Sequence, residues 1–261
     1  MSNIRMFFAG LALTTVTGSA AALPIPVDHF IFNNNSFDTG SKPRSMAQAG
    51  TFSYSSATPA GAAGKAAVFN SSGYIRSTTV AAISGDFSVS FWMKTGATSP
   101  QGASQWYQGL GLVDAERGGV TSDWGLSFMN NKVGFGIGWP DTTITTTTNV
   151  NDNQWHLVNA TWQMNTGTMS LYLDGLLNNS KVVTASKDML RTNQNLLAVG
   201  GLATGINWFS GSIADVQVFD SVLSAAQVRE IRFGAVPEPS SLALLGLAGL
   251  AGLVARRRRQ A

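Results

Sequence analysis

The feature that most constrains this chain is a period of two. Between residues 23 and 234, apolar and polar side chains alternate in short runs, and Gly, Asn, Asp and Pro separate the runs. Phe87, Val89, Phe91 and Met93 alternate with Ser88, Ser90, Trp92 and Lys94; His156, Val158, Ala160 and Trp162 alternate with Leu157, Asn159 and Thr161. Successive side chains of a strand point to opposite faces, so this is the pattern of β-structure and not of a helix. The apolar runs at 124–128 and 133–137 flank Asn130, Asn131 and Lys132, which predicts a hairpin. Residues 169–173 run into Asp174 and Gly175, a pair suited to a type I′ turn, whose two central residues need positive φ. Residues 196–199 and 213–219 complete the series. Many strands without a β–α–β rhythm predict an all-β, antiparallel sandwich.

One short C-terminal helix is marked. Ser224 and Gln227 have the spacing of a capping box, and Leu223 and Val228 are placed to staple across it. Gly234 is available to end it. Such a helix is expected to cover the sandwich edge or seal its end.

The two ends read as addresses. Residues 1–22 hold basic Arg5, an apolar stretch and the small residues Ala20 and Ala22, which fit a signal peptide cleaved before Leu23. The domain then spans 23–234, and a tail fills 235–261. That tail carries Pro237, Glu238 and Pro239, an apolar run at 242–254 and Arg256, Arg257, Arg258 and Arg259. The run is a transmembrane helix in prospect, and the arginines hold its end in the cytoplasm. The Pro-Glu-Pro triplet resists both helix and strand and leaves an accessible backbone before the membrane.

Charge follows the same division. Of 17 Lys and Arg, five are Arg5 and the four terminal arginines; setting them aside leaves 12 against 14 Asp and Glu. The basicity belongs to targeting, and no nucleic acid is expected as a partner, since such sites need clustered Lys and Arg. No cysteine is present, which excludes disulfides, thiolate metal sites and cysteine nucleophiles.

The tail resembles the PEP-CTERM sorting signals of Gram-negative bacteria. That likeness implies an exosortase-type processing enzyme, passage through the inner membrane, a final place on the cell surface or in the extracellular matrix, and a link to exopolysaccharide and biofilm. The runs FSVSFWMKTG (87–96), NQWHLVNATW (153–162), MSLYLDG (169–175) and FSGSIADVQVFDSVLSAAQV (209–228) resemble laminin-G-like domains of the concanavalin A-like lectin and glucanase jelly rolls. The likeness implies a jelly-roll sandwich. This fold serves sugar binding, protein adhesion and glycoside hydrolysis, so function must be argued from the site.

Glucanases of this class carry a strand-borne Glu-x-Asp-x-Glu, which is missing here. The chain has only Glu116, Glu230 and Glu238; Asp114 and Glu116 could face one way, but Arg117, Gly118 and Gly119 follow as a loop. No enzyme activity is expected. His29 and His156 read as structural. The likeness also implies a structural calcium ion, held by the early loop at Asp38 and Gly40 together with Asp215 on the last long strand; an Asx-turn at Asp38 is the alternative.

Sugar binding calls for exposed aromatic faces with hydrogen-bonding neighbours. Trp106, Tyr107, Trp124, Trp139 and Asp141 lie in or beside loops and are the candidate glycan ligands. Trp92, Trp155, Trp162 and Trp208 are assigned to the structure, a role Trp124 could share. Gly134, Gly136 and Gly138 alternate with Val133, Phe135 and Ile137, leaving one sheet face bare for a ligand or another backbone. The expected function is a non-catalytic, polysaccharide-binding module on an exported protein. A structural or adhesive protein that contacts other proteins is the alternative, and a hydrolase of the same fold stands behind it.

Overall fold

The computed structural model describes residues 22–79, 83, 85–119, 122–138, 140–183 and 196–233. The signal peptide up to Ala21, Trp139, Gly234 and the tail with Pro237, Glu238 and Pro239 lie outside the described residues. Residues Ala22–Ala235 form one compact unit.

In chain order the strands are β1 (Asp28–Phe30), β2 (Met46–Ser55), β3 (Ala66–Ser77), β4 (Phe87–Lys94), β5 (Leu110–Asp114), β6 (Trp124–Met129) and β7 (Lys132–Ile137). They continue with β8 (Thr142–Thr145), β9 (Trp155–Gln163), β10 (Thr168–Leu173), β11 (Leu176–Val182), β12 (Ala198–Val199) and β13 (Ser210–Phe219). Helix α1 (Ala225–Phe233) follows, and a 3-10 turn at Trp106–Gln108 precedes β5. Every pairing between these strands is antiparallel, in the order β11-β10-β9-β4-β13-β3-β12-β5-β6-β7-β8, with β1 on β13 and β2 on β3.

Strand β3 joins two layers. Its first half pairs with β13 from Ala66 to Asn70, and its second half pairs with β12 at Ile75 and Arg76. Between them Ser71 takes φ +62°, the local kink by which one strand serves both layers. The far edges, β8 and β11, meet through Asn179 Nδ2, which donates to the Thr145 carbonyl at 2.8 Å. The result is a sandwich closing towards a barrel.

The alternating residues of β4 and β9 behave as their pattern demands. Phe87, Val89, Phe91, Met93, Val158, Ala160 and Trp162 fill the core between the layers. Trp92 and Leu157 point to the opposite face. Both turn residues of the β10–β11 hairpin have positive φ, Asp174 at +52° and Gly175 at +83°, and so do Asn130 and Asn131 in the β6–β7 hairpin.

The capping box forms as well: Gln227 Oε1 accepts from Ser224 N at 2.8 Å and Ser224 Oγ accepts from Gln227 N at 3.3 Å. Leu223 and Val228 pack together with Tyr172 and Phe219. Helix α1 covers the outer face of the first layer, where Ile231 reaches Trp92 and Leu157, and it lies against edge strand β11. That face is apolar enough to need a lid, because β4 and β13 are buried on both sides.

Candidate functional site

The glycine face of the second layer is taken by the chain itself. Asp114, Gly125, Gly136 and Thr143 are register partners across β5, β6, β7 and β8, and directly paired residues share a face. Onto this row the 3-10 turn lays the indole of Trp106. A Cβ on Gly125 would come within 2.8 Å of Trp106 Nε1, and one on Gly136 within 2.7 Å of Trp106 Cγ. Met129 folds over Gly134 in the same way, its Cγ 3.0 Å from where a Cβ would stand. Only glycine admits this approach, and the bare face thus receives a side chain rather than an outside ligand.

The turn itself is held by local hydrogen bonds. Gln108 Oε1 accepts from the backbone N–H groups of Ser104 at 2.7 Å and Gln105 at 3.1 Å. Trp106 N donates to Thr143 Oγ1 at 3.1 Å. Trp106 is therefore 1% exposed, the floor of a site and not a free stacking platform. Its ring meets Tyr107 edge-on at 5.1 Å between centroids.

Beside Tyr107 opens a cleft of ≈ 210 Å³ lined by Trp106, Tyr107, Glu116, Gly119, Asp123 and Asp141. Its walls come from three loops: the 3-10 turn, the β5–β6 loop and the β7–β8 turn. A fourth segment, 200–209, borders it, with Thr204 Oγ1 donating to Glu116 Oε2 at 3.3 Å and Asn207 Nδ2 to the Tyr107 carbonyl at 3.1 Å. Asp114 ties these walls together from beneath. Its Oδ1 accepts from Glu116 N at 2.9 Å and from Ala203 N at 2.7 Å. Asp114 Oδ2 and Trp106 Nε1 are buried without partners, and both flank the α-carbon of Gly125.

The electrostatics follow from burial and crowding. Burial drives the Asp114 carboxyl well above the ordinary carboxylate range, against the two N–H bonds and with help from Glu116 and Asp123. Burial also raises Glu116; the Thr204 hydroxyl opposes the shift and the Asp141 charge adds to it. Tyr107 is raised by burial, by its hydrogen bond to Asp141, and by the charges of Asp141, Glu116 and Asp123.

Of the candidate glycan ligands, then, the structure brings Trp106, Tyr107 and Asp141 to one cleft. Trp124 does not join them: it is 2% exposed and packs tilted against Phe87, ring centroids 4.8 Å apart, in the core, since its strand parity points it inward. Trp208, read as structural, is instead 38% exposed on the segment bordering the cleft. Glu116 and Asp123 also line the cleft, beyond the ligands the sequence suggests. A signal for them existed in the spacing of Asp114, Glu116 and Asp123 around Gly118 and Gly119, which closes a loop on itself.

The calcium residues converge differently. Asp38 Oδ1 accepts from His29 N and Gly40 N, each at 2.9 Å, and its Oδ2 accepts from Arg44 N at 2.8 Å. Asp215, on the bulge of β13, takes His29 Nε2 at 2.8 Å and Gln217 Nε2 at 3.0 Å on Oδ1, and Ala63 N at 3.1 Å on Oδ2. The six N–H bonds leave these two carboxylates few lone pairs for a cation, and calcium needs six to eight oxygens. Among the described residues no group of three or more His, Asp or Glu is placed to hold a metal. The residues do not fit calcium; they clamp the early loop onto β13.

Comparison with known proteins places these features. Residues 69–229 match the family model of the Concanavalin A-like lectin/glucanases superfamily. Residues 235–259 match the PEP-CTERM protein-sorting motif, the mark of an exported, C-terminally processed protein. No curated protein matches the chain. Among solved structures it is similar to domain 4 of AbnA, a GH43 extracellular arabinanase from Geobacillus stearothermophilus in complex with arabinotriose. The TM-score is 0.61 at 19% identity, over 80% of this chain and 98% of that one. It is also similar to the binding domain of botulinum neurotoxin DC, solved in complex with rat synaptotagmin II, with TM-score 0.58 and 16% identity over 79% of this chain and 50% of the other. The same toxin domain in complex with SialylT gives 0.57 at 17% identity, over 79% and 50%. The chain thus spans about half the length of the toxin domains it matches, and at these identities the likeness is one of fold.

Proposed function

The chain belongs to the concanavalin A-like lectin/glucanases superfamily, and from that membership we propose that it is an exported surface or matrix protein whose sandwich binds glycan without cutting it. The observation that carries this reading is the cleft: three loops bring one aromatic hydroxyl and three carboxylates around a pocket floored by Trp106. Carboxylates and a tyrosine hydroxyl are suitable partners for sugar hydroxyls, and an exposed indole such as Trp208 suits the apolar face of a pyranose. The arabinotriose and SialylT complexes of similar sandwiches support a glycan as the ligand.

Hydrolysis is disfavoured by where the acids stand. Among the described residues each strand holds at most one carboxylate, Asp28 on β1, Asp114 on β5 and Asp215 on β13. Glu116 and Asp123 hang on the β5–β6 loop and Asp141 on the β7–β8 turn, without the strand-borne pair that fixes a general acid opposite a nucleophile. The tail holds the chain in the inner membrane of a Gram-negative cell until an exosortase-type enzyme cuts near Pro237, Glu238 and Pro239.

A protein-adhesive role is the second reading. It is favoured by edge strand β11, where Leu176, Leu177 and Val182 are exposed. Retention on gels of immobilised polysaccharide separates the two. Tyr107→Ala abolishes retention if the cleft is the glycan site, and loss on changing Leu177 instead moves the function to β11.

A further inference from the structure

Building on the tail-anchored part of the proposed function, we infer that the outer face of the first layer docks on the headgroup layer of an anionic bilayer. Helix α1 buries Gln227 and Val228 and leaves Ala225, Ala226, Arg229 and Phe233 exposed. Ala226, Arg229 and Phe233, three and four residues apart, form one outward stripe. The solvent side of a surface helix is ordinarily polar and charged; this one ends in an exposed phenyl ring, and Glu230, the single acid of the helix, is less exposed than Arg229. Strand β11 continues the apolar surface. Leu177 pairs with Tyr172 and Val182 with Thr168, and paired residues share a face. Tyr172 packs with Val228, so Leu177 and Val182 stand on the helix side of the sheet, both exposed. Phe233 borders them at the hairpin: a Cβ on Gly175 would meet its Cε2 at 3.4 Å. Single exposed apolar side chains are ordinary, whereas a contiguous group marks an interaction site.

The path of the chain names lipid as the occupant. The tail follows Phe233 directly, and residues 234–241, which precede its apolar run, span at most about 30 Å. The start of the domain meets the same helix: Gln227 Nε2 donates to the Ala22 carbonyl at 3.0 Å, and Leu23 packs against the cluster of Leu223 and Val228. Ile25, two residues on, is exposed. The segment read as a signal peptide and the sorting tail therefore both join the domain at α1. Exposed aliphatic and aromatic side chains enter the boundary between headgroups and acyl chains, and a cation such as Arg229 among them pairs with lipid phosphate. Docking by this face also orients the cleft. Trp106 lies on the glycine face of β6 and β7, opposite the core residues Leu126 and Phe135, and so on the outer side of the other layer. The cleft is thus turned away from the lipid.

The chain has no cysteine, so Leu177→Cys, Val182→Cys and Ile206→Cys each place a single nitrobenzoxadiazole label on the full chain. Ile206 is similarly exposed but stands on the segment that borders the cleft. In vesicles of phosphatidylethanolamine and phosphatidylglycerol, brominated acyl chains should quench the labels at 177 and 182 about three-fold more than the label at 206. Arg229→Glu, at an exposed position, should bring the label at 177 down to the level of the one at 206, as should replacing phosphatidylglycerol by phosphatidylcholine. Quenching at 177 no greater than at 206, or indifferent to Arg229→Glu, overturns the inference while leaving the tail anchor in place. Shielding of the 177 label that grows with protein concentration in the absence of vesicles does the same, and makes the face a protein contact. Failure of the unlabelled full chain to float with the vesicles overturns both the docking and the anchor.

Discussion

The indole of Trp106 lies across the α-carbon of Gly136, so closely that a Cβ there would stand 2.7 Å from Trp106 Cγ. Gly136→Ala must therefore push the ring off the sheet. Overpacking of this kind costs about 1–3 kcal/mol, readable as a lower urea midpoint. It should also weaken glycan binding, because Trp106 floors the cleft. An alanine at Gly96, where an added Cβ would meet Asn153 at an ordinary 3.5 Å, is the control for introducing a methyl group.

Two tryptophans should separate stability from binding. Trp124 packs against Phe87 in the core, and Trp124→Ala should cost about 3–5 kcal/mol as a large-to-small core change. Trp208 is partly exposed on the segment that borders the cleft through Asn207, so Trp208→Ala should leave the melting temperature nearly unmoved and reduce retention on polysaccharide. A stable Trp124→Ala or an unfolded Trp208→Ala contradicts these placements.

The fold class was legible in residues such as Phe87, Val89, Phe91 and Met93, because alternation in a strand is written by burial alone. The Asp174 and Gly175 turn and the Ser224 and Gln227 cap were legible for a similar reason: each depends on chemistry within a few residues. Strands β2 and β3 were not. β2 is mostly exposed, with only Met46, Phe52 and Tyr54 packed against the core, and β3 changes partners at Ser71 within Asn70-Ser71-Ser72-Gly73, a stretch that reads as a loop. The site was half legible. Tyr107 and Asp141 stand on loops as expected, but the burial of Trp106 depends on glycines on β6 and β7 that lie well beyond it in the chain. The clamp at Asp38 turns on where N–H groups point, which spacing does not encode.

Protonation should shape stability through His156. Its Nδ1 meets Asp174 at 2.9 Å and its Nε2 meets Asp152 at 3.2 Å. The Asp174 hydrogen bond raises the imidazole above its ordinary 6.5, burial opposing. This contribution is complete below about 6.5 and is lost as pH rises through the raised value. Burial pulls Asp174 up, but the His156 and Leu157 bonds outweigh it and hold it below 3.8. Its share is present above that pH and lost as pH falls through the lowered value. Burial also lifts Asp28 to about 7 against the Arg44 ion pair, so its share is complete below 3.8 and is lost as pH rises from there to about 7. The His156–Asp174 pair should thus contribute most between about 4 and 6.5. His156→Gln should flatten the alkaline side in part, and an unchanged profile would remove His156 from the account.

The clamp makes its own prediction. Because Asp38 and Asp215 are filled by N–H donors, a chelator should leave the melting temperature unchanged. Asp38→Ala should lower stability by about 1–3 kcal/mol through unsatisfied amides, with or without calcium. A chelator-induced drop that calcium reverses, and that Asp38→Ala abolishes, would restore a calcium site.

The central claim, binding without cutting at the acidic cleft, is tested most directly in one sample. A polysaccharide that the protein retains is titrated calorimetrically with the wild-type chain, and reducing ends are then counted after prolonged incubation. The account predicts saturable binding, on the order of tens of micromolar to millimolar for two or three stacking and polar contacts. It predicts that Tyr107→Ala abolishes this heat without unfolding the protein, and that reducing ends do not accumulate. Reducing ends that do accumulate and that Glu116→Gln abolishes, or binding indifferent to Tyr107, would contradict it.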